Sequence, residues 1–166
     1  LLLKIVASGP TSRLYKDLVV DRKIASSVSG YYSGHGKEYG RIVFYGVPSR
    51  GHTLEELEAA IDKGLADIAA NGVSEAELER AKRVFIADYI YESDNQSTLA
   101  RRYGFGLVVG QTIEDIETWP EEIRKVKLDD LKRVAAKYFD IKSSVTGYLR
   151  PQAAVEAKAK ATGDRS

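Results

Sequence analysis

The stretch Asn71-Gly72-Val73-Ser74-Glu75-Ala76-Glu77-Leu78, continued through Tyr89 to Gly110, decides how this chain is organised. Asn71-Gly72 marks the end of one helix, because Gly supplies the left-handed backbone that lets the last carbonyls find new partners. Ser74 with Glu77 three residues on marks the start of the next, since the two side chains can satisfy two orphan backbone donors reciprocally. Leu78, Ala81, Phe85 and Tyr89 then recur at offsets of three and four, which predicts one apolar stripe, with Glu79, Lys82, Arg83 and Glu92 largely off it. After a polar break at Ser93 to Gln96, the pattern resumes through Leu99, Tyr103 and Leu107. The small residues Ala100, Gly104 and Gly106 there would let a second helix lie close to a neighbour. The expectation is two consecutive helices with one buried face.

Working outward, Leu1 to Ala7 reads as the last turns of a helix whose beginning is missing, closed by Ser8-Gly9-Pro10. Thr11 or Ser12 is placed to cap a short helix carrying Leu14, Tyr15 and Leu18, which Asp21-Arg22-Lys23 ends in solvent. The period then changes. Ile24 to Tyr32 and Tyr39 to Val47 are rich in β-branched and aromatic residues and are joined by Ser33-Gly34-His35-Gly36-Lys37, predicting an antiparallel hairpin. Ile42 and Phe44 share one face, and Arg41, Val43, Tyr45 and Val47 the other, so the sheet is expected to meet something on each side.

Thr53 with Glu56 forms a second capping box, and Leu54, Leu57, Ile61, Leu65 and Ile68 give the clearest amphipathic helix in the chain. Trp119-Pro120-Glu121-Glu122 opens a short helix, with Pro tolerated in the first turn. Leu128, Leu131, Val134 or Ala135, and Tyr138 make a last one. Ser143 to Arg150 reads as a short strand stopped by Pro151, and Gln152 to Ser166, nearly devoid of large apolar residues, as a flexible tail. The predicted fold is α+β, an antiparallel or mixed sheet with helices on one face, in one domain over residues 1–151 and lacking its first elements.

Composition narrows the chemistry. The 166 residues carry 25 basic and 24 acidic side chains, a net charge of +1, with neither sign in a long run, so nucleic acid is a poor partner. There is no Cys, which removes disulfides, thiolate metal sites and cysteine nucleophiles. Apolar runs fall well short of a membrane span, and the chain is expected to be soluble, cytoplasmic or periplasmic.

His52-Thr53-Leu54-Glu55-Glu56 comes within one residue of the inverted zinc motif HxxEH, but its fifth position is Glu, and a His before a capping box reads as structural. The other His, His35, falls in the hairpin loop. Gly104-Phe105-Gly106 with Gly110 lies in a helical segment rather than after a strand, which favours close packing over phosphate binding. Ser26, Ser27 and Ser29 lack the G-x-S-x-G context of a nucleophile. Ten Tyr residues, Tyr31-Tyr32 among them, read as half-buried packing or as a peptide- or sugar-binding surface.

Four stretches in register resemble one family. Gly9-Pro10-Thr11-Ser12-Arg13-Leu14-Tyr15, Gly72 to Lys82, Trp119 to Val126, and Gly147-Tyr148-Leu149-Arg150-Pro151 are similar to the pitrilysin or insulinase family of inverted-zincin metallopeptidases, in a later domain that does not bind zinc. The resemblance implies a clamshell protease whose homologous α+β domains enclose a chamber for peptides and partly unfolded proteins. On it, zinc sits in an amino-terminal domain outside this segment. The segment itself has no cofactor and no catalytic residue, and its partners are the zinc-bearing domain, a homologous subunit and the peptide substrate. Where this type of domain often carries a substrate-holding Arg and Tyr, the matching, chamber-facing positions are Val19 and Ser26, which cannot stabilise an oxyanion as a guanidinium and a phenol would. The resemblance therefore implies a domain tethered behind the zinc-bearing one. The alternatives are a scaffold subunit without peptidase activity and an independent ligand-binding α+β domain.

Overall fold

The computed structural model describes residues 1–34 and 40–150. Helix α1 (Leu2–Val6) leads to a short α2 (Arg13–Tyr15), which widens into a π-helical turn over Lys16–Asp21. Strands β1 (Ala25–Ser33) and β2 (Arg41–Pro48) follow as an antiparallel pair. The remainder is helical: α3 (Leu54–Asn71), α4 (Glu75–Glu92), α5 (Gln96–Val108), α6 (Ile113–Glu117), α7 (Trp119–Lys125) and α8 (Leu128–Tyr138), with a 3-10 turn at Ile141–Ser143. The class is α+β, as expected, with a two-stranded sheet among the described residues.

The core lies between the inner face of the hairpin and the helices. Leu14, Leu18, Ile68 and Leu78 are fully buried, each contributing roughly 2 kcal/mol by its removal from water. Helix α3 packs on β2 and α8, while α1 sits against β1 and α4. The end of α1 is fastened to the strand directly, since Gly30 N–H donates to the Ala7 carbonyl at 3.0 Å. On the far side, Trp119 stacks on Tyr89 with centroids 5.4 Å apart, and Arg102 lies 3.8 Å over the other ring's centre. That stack joins α4, α5 and α7.

Both predicted capping boxes are present, at Thr53/Glu56 and Ser74/Glu77. Gly72 ends α3 with φ +75, the left-handed backbone that its position before Ser74 predicts. Glu77 does more than cap. Arg13 holds it through two parallel bonds, Nε to Oε1 at 2.8 Å and Nη2 to Oε2 at 2.7 Å, and Arg13 Nη1 reaches the Gly72 carbonyl at 3.2 Å. One guanidinium therefore ties α2, the end of α3 and the start of α4 together.

Four expectations are corrected. Ser12 occupies the cap position of α2 but donates its hydroxyl to the Gly9 carbonyl at 2.7 Å and accepts no cap bond. The second helix of the central pair does not bury its Leu99, Tyr103, Leu107 stripe, for Leu107 is exposed and only Gly106 is buried. It turns toward α6, where a Cβ on Gly106 would come within 2.6 Å of Ile116 Cδ1. The predicted strand from Ser143 to Arg150 has no ladder partner among the described residues. After Ser143 ends the 3-10 turn, the chain runs over the flank of α3, where the Tyr148 hydroxyl donates to Glu58 and Arg150 to Glu55, leaving Val145 and Leu149 in solvent. The carboxylate bond pushes the Tyr148 phenol up to about 12. Finally, the outer face of the hairpin meets no described element, and Tyr31, Tyr45 and Val47 stand about half exposed. Residues 35–39, which take in part of the predicted hairpin link and the expected start of the second strand at Tyr39, lie outside the described residues, as do Pro151 and the tail from Gln152 to Ser166.

Glu77 sets an acid limit. The bond from Arg13, followed by the Ser74 donors, lowers its carboxyl from 4.5 to about 2. Because the folded value is depressed, its stabilisation is fully present above pH 4.5 and is lost as pH falls toward 2. Solvent screening holds the contribution to about 1–2 kcal/mol. Urea unfolding of Glu77→Gln is expected to show that loss at neutral pH and a flatter decline between those two pH values than the parent shows.

Candidate functional site

The most distinctive exposed surface is built on the hairpin and the turn that feeds it. Pairing of Ala25 with Pro48 and of Ser27 with Val47 leaves Ser26 as an extra residue, a β-bulge at the base of β1. Bulges of this kind bend a strand and re-aim a side chain. Ser26 is exposed, and its hydroxyl donates to the Val47 carbonyl at 3.2 Å. The π-helical turn packs on β1 beside it, closed by the Arg22 N–H to the Asp17 carbonyl at 2.9 Å and by an Arg22 to Asp17 ion pair at 3.1 Å. Val19 in that turn is half-buried against the core, whereas its neighbour Val20 is exposed. The structure thus sets the two expected positions on adjacent elements, one lining the core and one in solvent.

Beyond the bulge the register is regular. Ser27 faces Val47, Ser29 faces Tyr45, Tyr31 faces Val43 and Ser33 faces Arg41, all on the outer side. Val28, Gly30, Phe44 and Gly46 turn inward, where Phe44 meets Phe139 edge to face at 5.7 Å. Side-chain alternation therefore divides the hairpin into one core-facing side and one open side. The sequence placed the β2 residues on their correct faces. It overlooked Val20 and Arg50 around the base and read Lys23 only as a solvent-exposed helix end, although the absence of any carboxylate from both strands was visible in it.

His52 is placed for structure. Its Nδ1 lies 3.1 Å from Glu56 Oε2, the same oxygen that accepts the Thr53 N–H at 3.0 Å. Those two bonds, the backbone one first, hold the Glu56 carboxyl below its usual range. With one imidazole and one committed carboxylate, the pair does not fit a zinc centre, which needs three protein ligands or more. Among the described residues no three His, Cys, Asp or Glu converge as metal ligands, and His35 lies outside them. No described helix is long and apolar enough to cross a membrane.

Opposite faces of one strand make a direct test. Phe44→Ala removes a half-buried ring from the packed side and is expected to cost about 2 kcal/mol, whereas Tyr45→Ala on the open side should cost under about 1 kcal/mol in urea unfolding.

Comparison with known proteins agrees with this architecture. The chain is 25% identical over 138 residues to the uncharacterized zinc protease YmxG of Bacillus subtilis, covering 81% of this chain and 32% of that one. It is 26% identical over 152 residues to the zinc protease PqqE of Helicobacter pylori, covering 90% and 33%. It therefore spans about one third of the length of these relatives. In fold it is similar to the inactive peptidase domain of a candidate zinc protease from Bordetella parapertussis, with a TM-score of 0.79 at 22% identity over 92% of this chain and 82% of that one. A protease from Helicobacter pylori matches with a TM-score of 0.77 at 24% identity, over 84% of this chain and 33% of that one. Residues 1–85 match the family model described as the Peptidase M16 inactive domain, and the chain belongs to that family of metallopeptidase domains.

Proposed function

We propose that residues 1–151 form one non-catalytic domain of a zinc metallopeptidase subunit, a wall of the substrate chamber and part of a subunit interface. Peptide hydrolysis belongs, on this reading, to a zinc-bearing domain elsewhere in the parent polypeptide. The observation that carries it is the match to the inactive domain, joined to relatives whose names call them zinc proteases. The open side of the hairpin, with Tyr31, Tyr45 and Val47 about half exposed, supports it as well, because an exposed apolar patch on a folded domain marks a binding surface.

In this reading Val19 and Ser26 border the chamber. An isopropyl group half-buried against the core and a hydroxyl already donating to Val47 offer no stabilising charge to a reacting carbonyl. The domain's part is shape and contact, while metal-activated water is generated elsewhere. A homologous subunit is the partner proposed for the interface.

The test compares two proteins. The 166-residue chain is expected to hold no stoichiometric zinc by elemental analysis and to leave casein-derived peptides uncut. The parent polypeptide with its upstream domain is expected to cleave them and to stop when zinc is chelated. A parent that binds no zinc gives the function to a scaffold subunit instead, and zinc-dependent cleavage by the short chain alone overturns the proposal.

A further inference from the structure

We propose that the open side of the β1–β2 hairpin binds an extended peptide segment in which carboxylates flank apolar or aromatic residues, an inference that rests on the reading of this face as chamber wall. Shape is the first reason. On the outer side β1 presents Ser27 and Ser29 opposite Val47 and Tyr45, so small side chains run beside large ones. Tyr31, the next outward residue of β1, closes that strip. The result is a row of small side chains along β1 beside an apolar one, in which Tyr45, Val47 and Tyr31 are 54%, 53% and 49% exposed. At about 3.3 Å per residue, the strands give an extended segment a footing of roughly 25 Å, or about seven to eight residues.

Charge is the second. Neither strand contains a carboxylate. Arg41 stands at one end of the face, opposite Ser33. At the other end the Ala25 to Pro48 pairing and the Ser49 N–H bond to the Ile24 carbonyl at 2.9 Å bring Lys23 and Arg50 to the same edge. Among the described residues none of these three cations has a carboxylate within 4.0 Å, whereas the adjacent Arg22 is neutralised by Asp17. Lys23 also adopts φ 55, the left-handed backbone that non-glycine residues hold at an energetic cost.

Arrangement of the two features decides the ligand class. An apolar strip with cations at both ends, and among the described residues no carboxylate paired with them, favours a peptide with carboxylates near its ends and an apolar middle. It repels the same peptide carrying Lys or Arg there, because the charges lie within a Debye length of the bound chain. A neutral aromatic peptide would gain the strip and not the ends.

Three fluorescein-labelled peptides of about ten residues, sharing one aromatic centre and flanked by Glu, Gln or Lys, are titrated with the 166-residue chain and followed by anisotropy. The Glu-flanked peptide is expected to bind at least about tenfold more tightly than the Lys-flanked one, with Gln between, and added salt should narrow the gap. The combined variant Lys23→Glu, Arg41→Glu, Arg50→Glu should invert that order. If circular dichroism shows the reversal variant unfolded, the neutral set Lys23→Gln, Arg41→Gln, Arg50→Gln is used, which should make the three peptides equal.

Equal binding of all three peptides, abolished by Tyr45→Ser but untouched by the charge changes, overturns the acidic preference and leaves the chamber-wall reading standing. Binding of none, or binding that neither kind of variant alters, removes both. Sedimentation showing a dimer of the chain that Tyr45→Ser disperses overturns the proposal as well.

Discussion

Arg13 and Glu77 hold together parts of the chain that have no other reason to meet at a fixed angle. The carboxylate receives two bonds from the guanidinium and serves the Ser74 backbone in the same moment, while the third guanidinium bond takes the Gly72 carbonyl exposed by the end of α3. Hydrophobic burial alone would bring Leu14, Ile68 and Leu78 into one core, but it is non-directional and would leave the crossing of α2, α3 and α4 loose. A planar, bidentate pair adds the direction. The hairpin, carried by the turn that continues α2, and α8, packed on α3, inherit their places from that junction.

Helix boundaries were legible wherever side chain and backbone close a local loop. Ser74 with Glu77 and Thr53 with Glu56 are four-residue devices that need nothing from the rest of the chain. Thr112 with Asp115 is a third of the same kind and starts α6, which sequence reading passed over because Asp rather than Glu stands at its far end and the helix is only five residues long. Ser12 went the other way, since its buried hydroxyl donates to the Gly9 carbonyl instead of capping α2.

Distant packing was less legible. The stripe on α5 has the right period, yet period says only which residues share a face, not whether a partner comes to cover it. The contact that α5 does make is with α6 at Gly106, off that stripe, and depends on the absence of a side chain there, which a local window does not reveal. Ser143 to Arg150 posed the same problem. Alternation is real there, with Thr146, Tyr148 and Arg150 on one side, but a strand needs a neighbouring edge, and here the alternate side chains found the acidic flank of α3 first. The candidate surface was half visible for a related reason. Face assignment on β2 follows from geometry, whereas the gathering of Lys23, Arg50 and Arg41 at its two ends is a consequence of the bulge and the register.

The chain has a single indole, and it sits in a defined sandwich. Trp119 lies flat against Tyr89 and tilted against Phe85 at 5.9 Å, far from the hairpin in sequence. Its emission is therefore a private reporter on the seam between α4 and α7. Emission excited selectively at the indole would follow the loosening of that seam, while the tyrosines of the two strands, Tyr31, Tyr32 and Tyr45, report on the sheet.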